Sequence, residues 1–363
     1  LTRYWQREPL MIRKAISNFV PPLSSDELAG LALEDEVESR LIEQQGDAWH
    51  QYDGPFEKSD FQRNHPWTLL VQAVDHYIPA VAELHQLVNF IPRWRTDDIM
   101  VSYATDGGGV GPHFDNYDVF LLQGEGHRLW RLGGTVDPAA ALLPHDELRI
   151  LAEFETKEEY LLGPGDILYV PPRVAHWGIA QGECTTFSIG FRAPRVCDML
   201  SRWTDALLEQ LEPEQFFCDP GRSLAARAGE LLETDRENAL AQVRRVLDQP
   251  LGNRWFGELV TEPRYALEPD PEDIAESVDL LRQGAQCVTL SAAAKLAWQQ
   301  DAHGLTVFAN GESLDCAIYV VPTLLLLCDG QCLTDVSLDN ALADPDTANM
   351  LESLAQRGCI DVE

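Results

Sequence analysis

Between residues 98 and 191 the chain breaks into short apolar runs separated by glycine turns, and this texture constrains its fold more than any other feature. Ile99-Met100-Val101-Ser102-Tyr103, Val119-Phe120-Leu121-Leu122-Gln123, Leu129-Trp130-Arg131-Leu132 and Ile167-Leu168-Tyr169-Val170 are strand-like, combining β-branched, aromatic and other apolar side chains in short runs. Gly107-Gly108-Gly109, Gly124-Glu125-Gly126 and Gly163-Pro164-Gly165-Asp166 punctuate them, supplying the backbone freedom of tight turns. Many short strands with glycine turns predict a double-sheet jelly roll of the cupin type.

Within this region His113 and Asp115 stand two residues apart, and His176 follows much later. On an extended segment residues i and i+2 face the same way, so His113 and Asp115 can reach one metal ion. His-x-Asp alone is a weak signal. Its surroundings strengthen it. Gly107-Gly108-Gly109-Val110-Gly111-Pro112 leads a turn into the pair, and Gly165-Asp166-Ile167-Leu168-Tyr169-Val170-Pro171-Pro172 leads a strand and turn into Ala175-His176. Two imidazoles and one carboxylate can hold one face of an iron ion and leave the opposite face open, the ligand set of non-haem Fe(II) oxygenases. The open positions take a co-substrate and oxygen. His50, His65, His76, His85, His127, His145 and His303 lack such framing and read as surface or core residues.

Arg128 opens the Leu129 run, one strand after the His-x-Asp pair. A fixed guanidinium grips a carboxylate with two charge-assisted hydrogen bonds, which makes Arg128 a candidate for the distal carboxylate of 2-oxoglutarate. The competing explanation is a surface salt bridge in a very acidic protein, and neighbouring Arg131 is the rival for the role.

The flanks are organised differently. Residues 1–95 mix short strand and helix signals. Ser24-Ser25-Asp26-Glu27 reads as a helix start with acids in the first turn, and residues 67–77 read as helical, with Leu70, Val71 and Val74 on one side. Residues 195–263 are predicted helical. The spaced leucines, valines and alanines of residues 224–247 fit either a packed helical domain or a dimer interface. A third unit begins near Pro269. A helix over residues 273–282, strands near Val288 and Val307, and helices near Leu324 and Leu351 predict a small α+β module.

With 363 residues the chain is long enough for two or three domains. Its net charge of −32, from 27 basic and 59 acidic side chains, should repel nucleic acid and anionic membrane and attract basic partners. Solubility or adaptation to salt explains the charge equally well. The eight cysteines form no CxxC pair, and Cys328 and Cys332 lack a second pair to complete a zinc site. They read as reduced core thiols of a cytosolic protein. The first residues lack the pattern of a secretory signal. The longest apolar run, residues 319–327, falls far short of the roughly 18 residues of a membrane span.

Gly111-Pro112-His113-Phe114-Asp115-Asn116-Tyr117-Asp118-Val119-Phe120, taken with Gly165 to Pro172 and Ala175-His176, resembles the JmjC-type 2-oxoglutarate oxygenases. The resemblance is greatest to the bacterial ribosomal oxygenase branch, which hydroxylates an arginine of the sixteenth large-subunit ribosomal protein. It also includes Tyr4-Trp5-Gln6 with Glu8-Pro9, Leu28-Ala29-Gly30-Leu31-Ala32, Trp67-Thr68-Leu69-Leu70-Val71-Gln72-Ala73-Val74 and Phe187-Ser188-Ile189-Gly190-Phe191-Arg192-Ala193-Pro194. It is strong over residues 1–195 and looser beyond.

The resemblance implies an α+β chain in three parts. These are a double-stranded β-helix (jelly roll, cupin, JmjC) catalytic domain over residues 1–195, a helical dimerisation region over 196–265 and a winged-helix-like domain over 266–363. It implies Fe(II) on His113, Asp115 and His176, with 2-oxoglutarate and O2 as co-substrates. It places the 2-oxoglutarate carboxylate on Arg128 with Ser102 close by, and the substrate arginine near Asp98, Met100, Tyr117 and Ser188. It also implies a homodimer that acts on a ribosomal protein; the acidic charge adds the expectation of a basic partner without direct nucleic-acid or membrane binding, and the cysteines that of a cytoplasmic protein.

The residues agree in part. Asp98, Met100 and Ser102 alternate along one strand and face one side. A carboxylate there can pair a guanidinium while Met100 and Tyr117 line its aliphatic stem. Asp98 could instead cap the strand, and Met100, Ser102 and Ser188 could equally be core. Other activities left open are a histidine hydroxylase or a lysine demethylase of the same superfamily. A non-catalytic cupin-like binding protein, in which the triad is incidental, is the reading from another class.

Overall fold

The computed structural model describes the chain except residues 223, 225, 253, 265–270 and 303. The N-terminal half contains β1 (Leu10–Ile12), α1 (Ser25–Leu31), β2 (Ser39–Gln45), β3 (Ala48–Asp53), β4 (Trp67–Val71), α2 (Pro79–Ala82), β5 (Thr96–Ala104), β6 (Val119–Gln123), β7 (His127–Thr135), β8 (Glu158–Leu162), β9 (Ile167–Val170), β10 (Val174–Gln181) and β11 (Cys184–Phe191). They form an eight-stranded sheet in the order β1-β9-β6-β11-β5-β4-β2-β3 and a three-stranded sheet β10-β7-β8. Every pairing is antiparallel. This is the double-sheet jelly roll predicted from the strand-and-turn texture.

The central strands of the large sheet are apolar on both faces because both faces are covered. In β6, Val119 and Leu121 join Trp130 and Leu132 of β7 and Leu168 of β9 in the layer shared with the small sheet. Phe120 and Leu122 point the other way, into a larger core that includes Leu28 of α1, Leu69 of β4 and Phe187 of β11. Alternation along a strand thus feeds two cores rather than a core and solvent.

The same burial explains a miss. Residues 67–77 are not helical: Trp67 to Val71 form β4, paired with β2 and β5, and all five residues are buried. A strand buried on both faces gives an unbroken apolar run that periodicity cannot tell from a buried helix. Ala73, at φ 50°, then turns the chain into a short 3-10 turn over Val74–His76.

The predicted start of α1 is present as a reciprocal cap. The Ser24 side chain accepts from the Glu27 amide, and Glu27 accepts from the Ser24 amide at 2.9 Å. The N-terminal segment locks onto the sheet through buried Asp118. Gln6 donates to Asp118 at 2.9 Å, and Tyr169 donates to it at 2.6 Å. Trp5 stacks on the Tyr169 ring at 5.8 Å.

Helices α3 (Val196–Leu208), α4 (Glu233–Leu247) and α5 (Arg254–Thr261) follow. The helicity expected from residue 224 begins at Glu233, and residues 223 and 225 lie outside the described residues. The C-terminal unit contains α6 (Pro271–Gln283), β12 (Cys287–Leu290), β13 (Leu296–Asp301), β14 (Gly304–Ala309), β15 (Glu312–Cys316), α7 (Val321–Cys328), β16 (Leu333–Thr334), α8 (Asp335–Ala343), α9 (Pro345–Gln356) and β17 (Ile360–Val362). It has its own core, which includes Val288, Leu324 and Leu351. The predicted start near Pro269, the 265/266 boundary and His303 lie outside the described residues. Among those described, no helix is long and apolar enough to cross a membrane.

The cysteines depart from the expectation of reduced core thiols. Cys287 and Cys332 are joined in a disulfide, and free Cys197 and Cys218 are exposed. Pairing of β12 with β16 brings the two halves of the bridge together across 45 residues of sequence.

Candidate active site

The nine residues singled out as site candidates line one cleft between the two sheets: Asp98, Met100, Ser102, His113, Asp115, Tyr117, Arg128, His176 and Ser188. The large sheet contributes Asp98, Met100 and Ser102 from β5 and Ser188 from β11, with Ser188 directly opposite Met100. The small sheet contributes Arg128 from β7 and His176 from β10. His113, Asp115 and Tyr117 come from the segment between β5 and β6.

That segment is not a strand, but His113 forms an isolated antiparallel bridge with His176. Before it, Gly111 sits at φ +78°, and an added Cβ would lie 3.1 Å from the Ile150 side chain. The residue must therefore be conformationally free and small. The carbonyl of Gly111 accepts from His113 Nδ1 at 2.9 Å, and that of Val174 accepts from His176 Nδ1 at 2.9 Å. A carbonyl only accepts, so each imidazole presents an Nδ1 proton to it and is oriented with Nε2 as its other ring nitrogen. His176 Nε2 stands 3.6 Å from Asp115 Oδ2. One ligand atom from each of the three residues lies within 4.8 Å of the others.

His176 is held neutral. Burial first, then the charge of His113, pull its pKa down to about 4, against the opposing pull of Asp115 and the Val174 carbonyl. A neutral imidazole with its other nitrogen bonded to a backbone carbonyl is the form that ligates a metal. The donor set and its oriented rings therefore fit a divalent iron with open positions.

Arg128 is 5% exposed, and one of its nitrogens, Nη2, has no hydrogen-bond partner among the described residues. Nη1 donates to Ser102 Oγ at 3.1 Å, and Nε points at Cys184 Sγ at 3.4 Å. A buried guanidinium with an unmatched donor is costly unless an anion completes it. This orphan fits a carboxylate ligand. Arg131 is excluded by strand parity: it faces outward and pairs with Glu159 at 2.8 Å, whereas Arg128, Trp130 and Leu132 are buried on the other face.

At the other end of the cleft Asp98 is buried and accepts from Gln72 Nε2 at 2.8 Å. The Tyr117 phenol is pushed well above its usual range, first by the charge of Asp115, then by burial of the hydroxyl and by Asp98. It is a neutral donor beside the Asp115 carboxylate.

Further residues of the cleft that sequence reasoning does not single out include Arg40, Gln72, Asp97, Trp130 and Arg264. Trp130 shares strand parity with Arg128, a signal that was available. Gln72 directly follows β4, inside the stretch 67–77 that the sequence presents as helical. Arg264 comes from beyond α5, and no local pattern marks it. A larger cavity of about 580 Å³ lies between α5 and the β13–β15 sheet, but none of the nine candidates lines it.

Comparison with known proteins agrees with this geometry. A JmjC domain model matches residues 83–199, a ROXA-like winged-helix model residues 245–360 and an AraC-like ligand-binding model residues 154–252. The chain is 36% identical to the ribosomal protein uL16 3-hydroxylase of Escherichia coli K12, over 99% of this chain and 95% of that protein. It is 33% identical to a probable ribosomal oxygenase of Haemophilus influenzae, over 96% and 90%. Crystallographic YcfD, a ribosomal oxygenase from Escherichia coli in complex with cobalt and 2-oxoglutarate, superposes with a TM-score of 0.83 at 34% identity, covering 100% of this chain and 96% of that one.

Proposed function

The chain belongs to the JmjC-type ribosomal oxygenases, which are 2-oxoglutarate-dependent enzymes, and from that premise we propose that it hydroxylates an arginine side chain of the large-subunit ribosomal protein uL16. The observation that carries the proposal is the convergence of His113, Asp115, His176 and the orphan nitrogen of Arg128 on the cleft that Asp98 and Met100 also line.

His113, Asp115 and His176 would hold Fe(II) and leave its other face to 2-oxoglutarate and O2. Iron so held supplies oxygen activation coupled to decarboxylation of 2-oxoglutarate to succinate, with one oxygen atom ending on the substrate carbon. Arg128 and Ser102 grip the distal carboxylate of 2-oxoglutarate and fix its orientation. Val119, Leu121 and Trp130 wall the cleft with apolar surface and exclude water. Asp98 receives the substrate guanidinium, Met100 and Tyr117 flank its stem, and the Ser188 hydroxyl completes the polar end.

The same proposal divides the chain into a catalytic domain (1–195), a helical dimerisation region (196–265) and a winged-helix-like domain (266–363), in a cytoplasmic homodimer. Exposed Val196, Leu200 and Leu208 on α3 and Leu240, Val243 and Leu247 on α4 give the helical region apolar surface for a second copy. The basic ribosomal protein is drawn by the −32 charge.

The test is mass spectrometry of recombinant uL16 incubated with enzyme, Fe(II) and 2-oxoglutarate. One added oxygen on an arginine is expected. Oxygen on a histidine, or demethylation of a lysine, would transfer the chain to another activity of the superfamily. No succinate release under any condition would leave a cupin-like binding protein.

A further inference from the structure

The strand that carries Asp98 is gripped at its first two residues by a lysine from the far end of the chain. Lys295 stands just before β13, and its ammonium donates to the main-chain carbonyl of Thr96 at 3.2 Å and to that of Asp97. Both acceptors are backbone, so the grip fixes the path of β5 rather than one rotamer. The base of the lysine is itself rigid. Its amide donates to Asn310 Oδ1 at 2.9 Å, the Asn310 amide donates back to its carbonyl at 3.0 Å, and flanking Ala294 and Leu296 belong to the C-terminal core.

The Asp97 side chain is drawn in the same direction. It pairs with Arg264 at 2.9 Å and lies 3.9 Å from Arg192. Arg192 in turn donates to the carbonyls of Val260, at 3.2 Å, and Glu262 beyond. On the opposite side of Asp98, the Ile99 amide donates to buried Asp75 at 2.8 Å. Asp98 therefore sits between a neighbour held from outside the jelly roll and a neighbour held from within it. Burial lowers the pKa of Lys295 while Asp97, Asp75 and Asp98 oppose that shift. Withdrawing an ammonium from water is costly, and here its donors are spent on the backbone beside the substrate carboxylate.

We infer that Lys295 is a positioning residue for substrate binding: by fixing the backbone of Thr96 and Asp97 it aims the Asp98 carboxylate, and it makes the C-terminal unit part of the substrate apparatus. The inference rests on the assignment of Asp98 to the substrate guanidinium made above.

The test uses the full chain with Lys295→Met, Lys295→Gln and Lys295→Arg. In Lys295→Met the KM for uL16 should rise about tenfold, the loss expected when one charge-assisted hydrogen bond to the substrate is misaligned. The kcat, the 2-oxoglutarate KM and 2-oxoglutarate turnover without uL16 should stay within about twofold. Lys295→Gln, which keeps a donor for one carbonyl, should fall between, and Lys295→Arg should recover most of the loss. A second arm needs no substrate: amide exchange of the segment 96–100 should quicken in Lys295→Met while β6 and β9 stay protected. Unchanged exchange there, or an unchanged uL16 KM, overturns the inference. A wild-type enzyme inactive on uL16 overturns the substrate proposal instead, and the exchange arm then decides this one alone.

Discussion

His113 and His176 are paired through their backbones as well as their rings. The His113 amide donates to the His176 carbonyl at 3.0 Å, and the His176 amide donates back to the His113 carbonyl at 2.8 Å. Their ring centroids lie 4.3 Å apart. Two candidate ligands distant in sequence are thus set by one bridge, and loop mobility cannot separate them without breaking both hydrogen bonds. The geometry exists before any metal arrives, so binding has little ordering to do.

Asp115 completes that set without sharing the bridge. Asp115→Ala should remove a ligand and leave both histidines in place. Loss of an outer partner alone typically costs about 10–100-fold in metal affinity or activity, so turnover should fall below about one hundredth. Anaerobic Fe(II) should raise the Tm of the wild type and not of the variant. An Asp115→Ala enzyme with full turnover would end the assignment.

The co-substrate prediction follows from the orphan nitrogen of Arg128. Hydrogen bonds to charged groups contribute about 1.5–3 kcal/mol each, so Arg128→Ala should raise the 2-oxoglutarate KM about 10–100-fold. Iron binding should be retained, since Arg128 contacts Ser102 and Cys184 rather than the triad. Arg128→Lys should recover only part, because an ammonium cannot form the two-pronged pair. Titration of succinate release against 2-oxoglutarate checks this, and an unchanged KM would move the role elsewhere.

What was legible in the sequence depended on whether a residue's partner was local. The strands at Val119–Gln123 and Ile167–Val170 were read to the residue, because glycine turns bound them on at least one side. Arg128 and Arg131 cannot be told apart by composition, yet strand parity on β7 buries the first and leaves the second half-buried on the other face, paired with Glu159. β4 was misread because burial on both faces erases alternation. The Cys287–Cys332 bridge and the reach of Lys295 and Arg264 into the catalytic half were invisible. Each joins segments whose neighbourhood exists only after folding.

Under the proposed function, substrate choice turns on Asp98. It shares a strand face with Met100 and Ser102, and Gln72 occupies one of its oxygens. Asp98→Asn keeps the shape and removes the charge. Hydroxylation of an arginine peptide should drop about tenfold or more, as expected when a charge-assisted pair is lost, while 2-oxoglutarate turnover without peptide persists. Association with uL16 should also weaken as salt rises, because screening shortens the reach of the acidic surface. Intact peptide hydroxylation in Asp98→Asn would make Asp98 a strand cap.

Asp75 offers a stability test that spares the proposed metal ligands. Its carboxylate is 1% exposed, bonds His85 Nε2 at 2.8 Å and accepts from the Ile99 amide at 2.8 Å. Burial works to raise its pKa, but the hydrogen bond and charge of His85, the charge of His76 and the Ile99 amide together bring it below the ordinary 3.8. A carboxyl with a depressed folded pKa stabilises fully above its unfolded pKa, and that stabilisation is lost as pH falls through the folded value. Asp75→Ala should therefore cost about 1–3 kcal/mol at neutral pH, because it leaves the buried Ile99 amide and the His85 ring without their partner. The gap between wild type and variant should narrow as the pH is lowered below about 4, where both chains approach a protonated or absent carboxylate. Thermal unfolding followed from neutral pH to about pH 3 reads both effects. A gap that widens in acid would mean that Asp75 is held protonated, and the charge pairing with His85 would have to be abandoned.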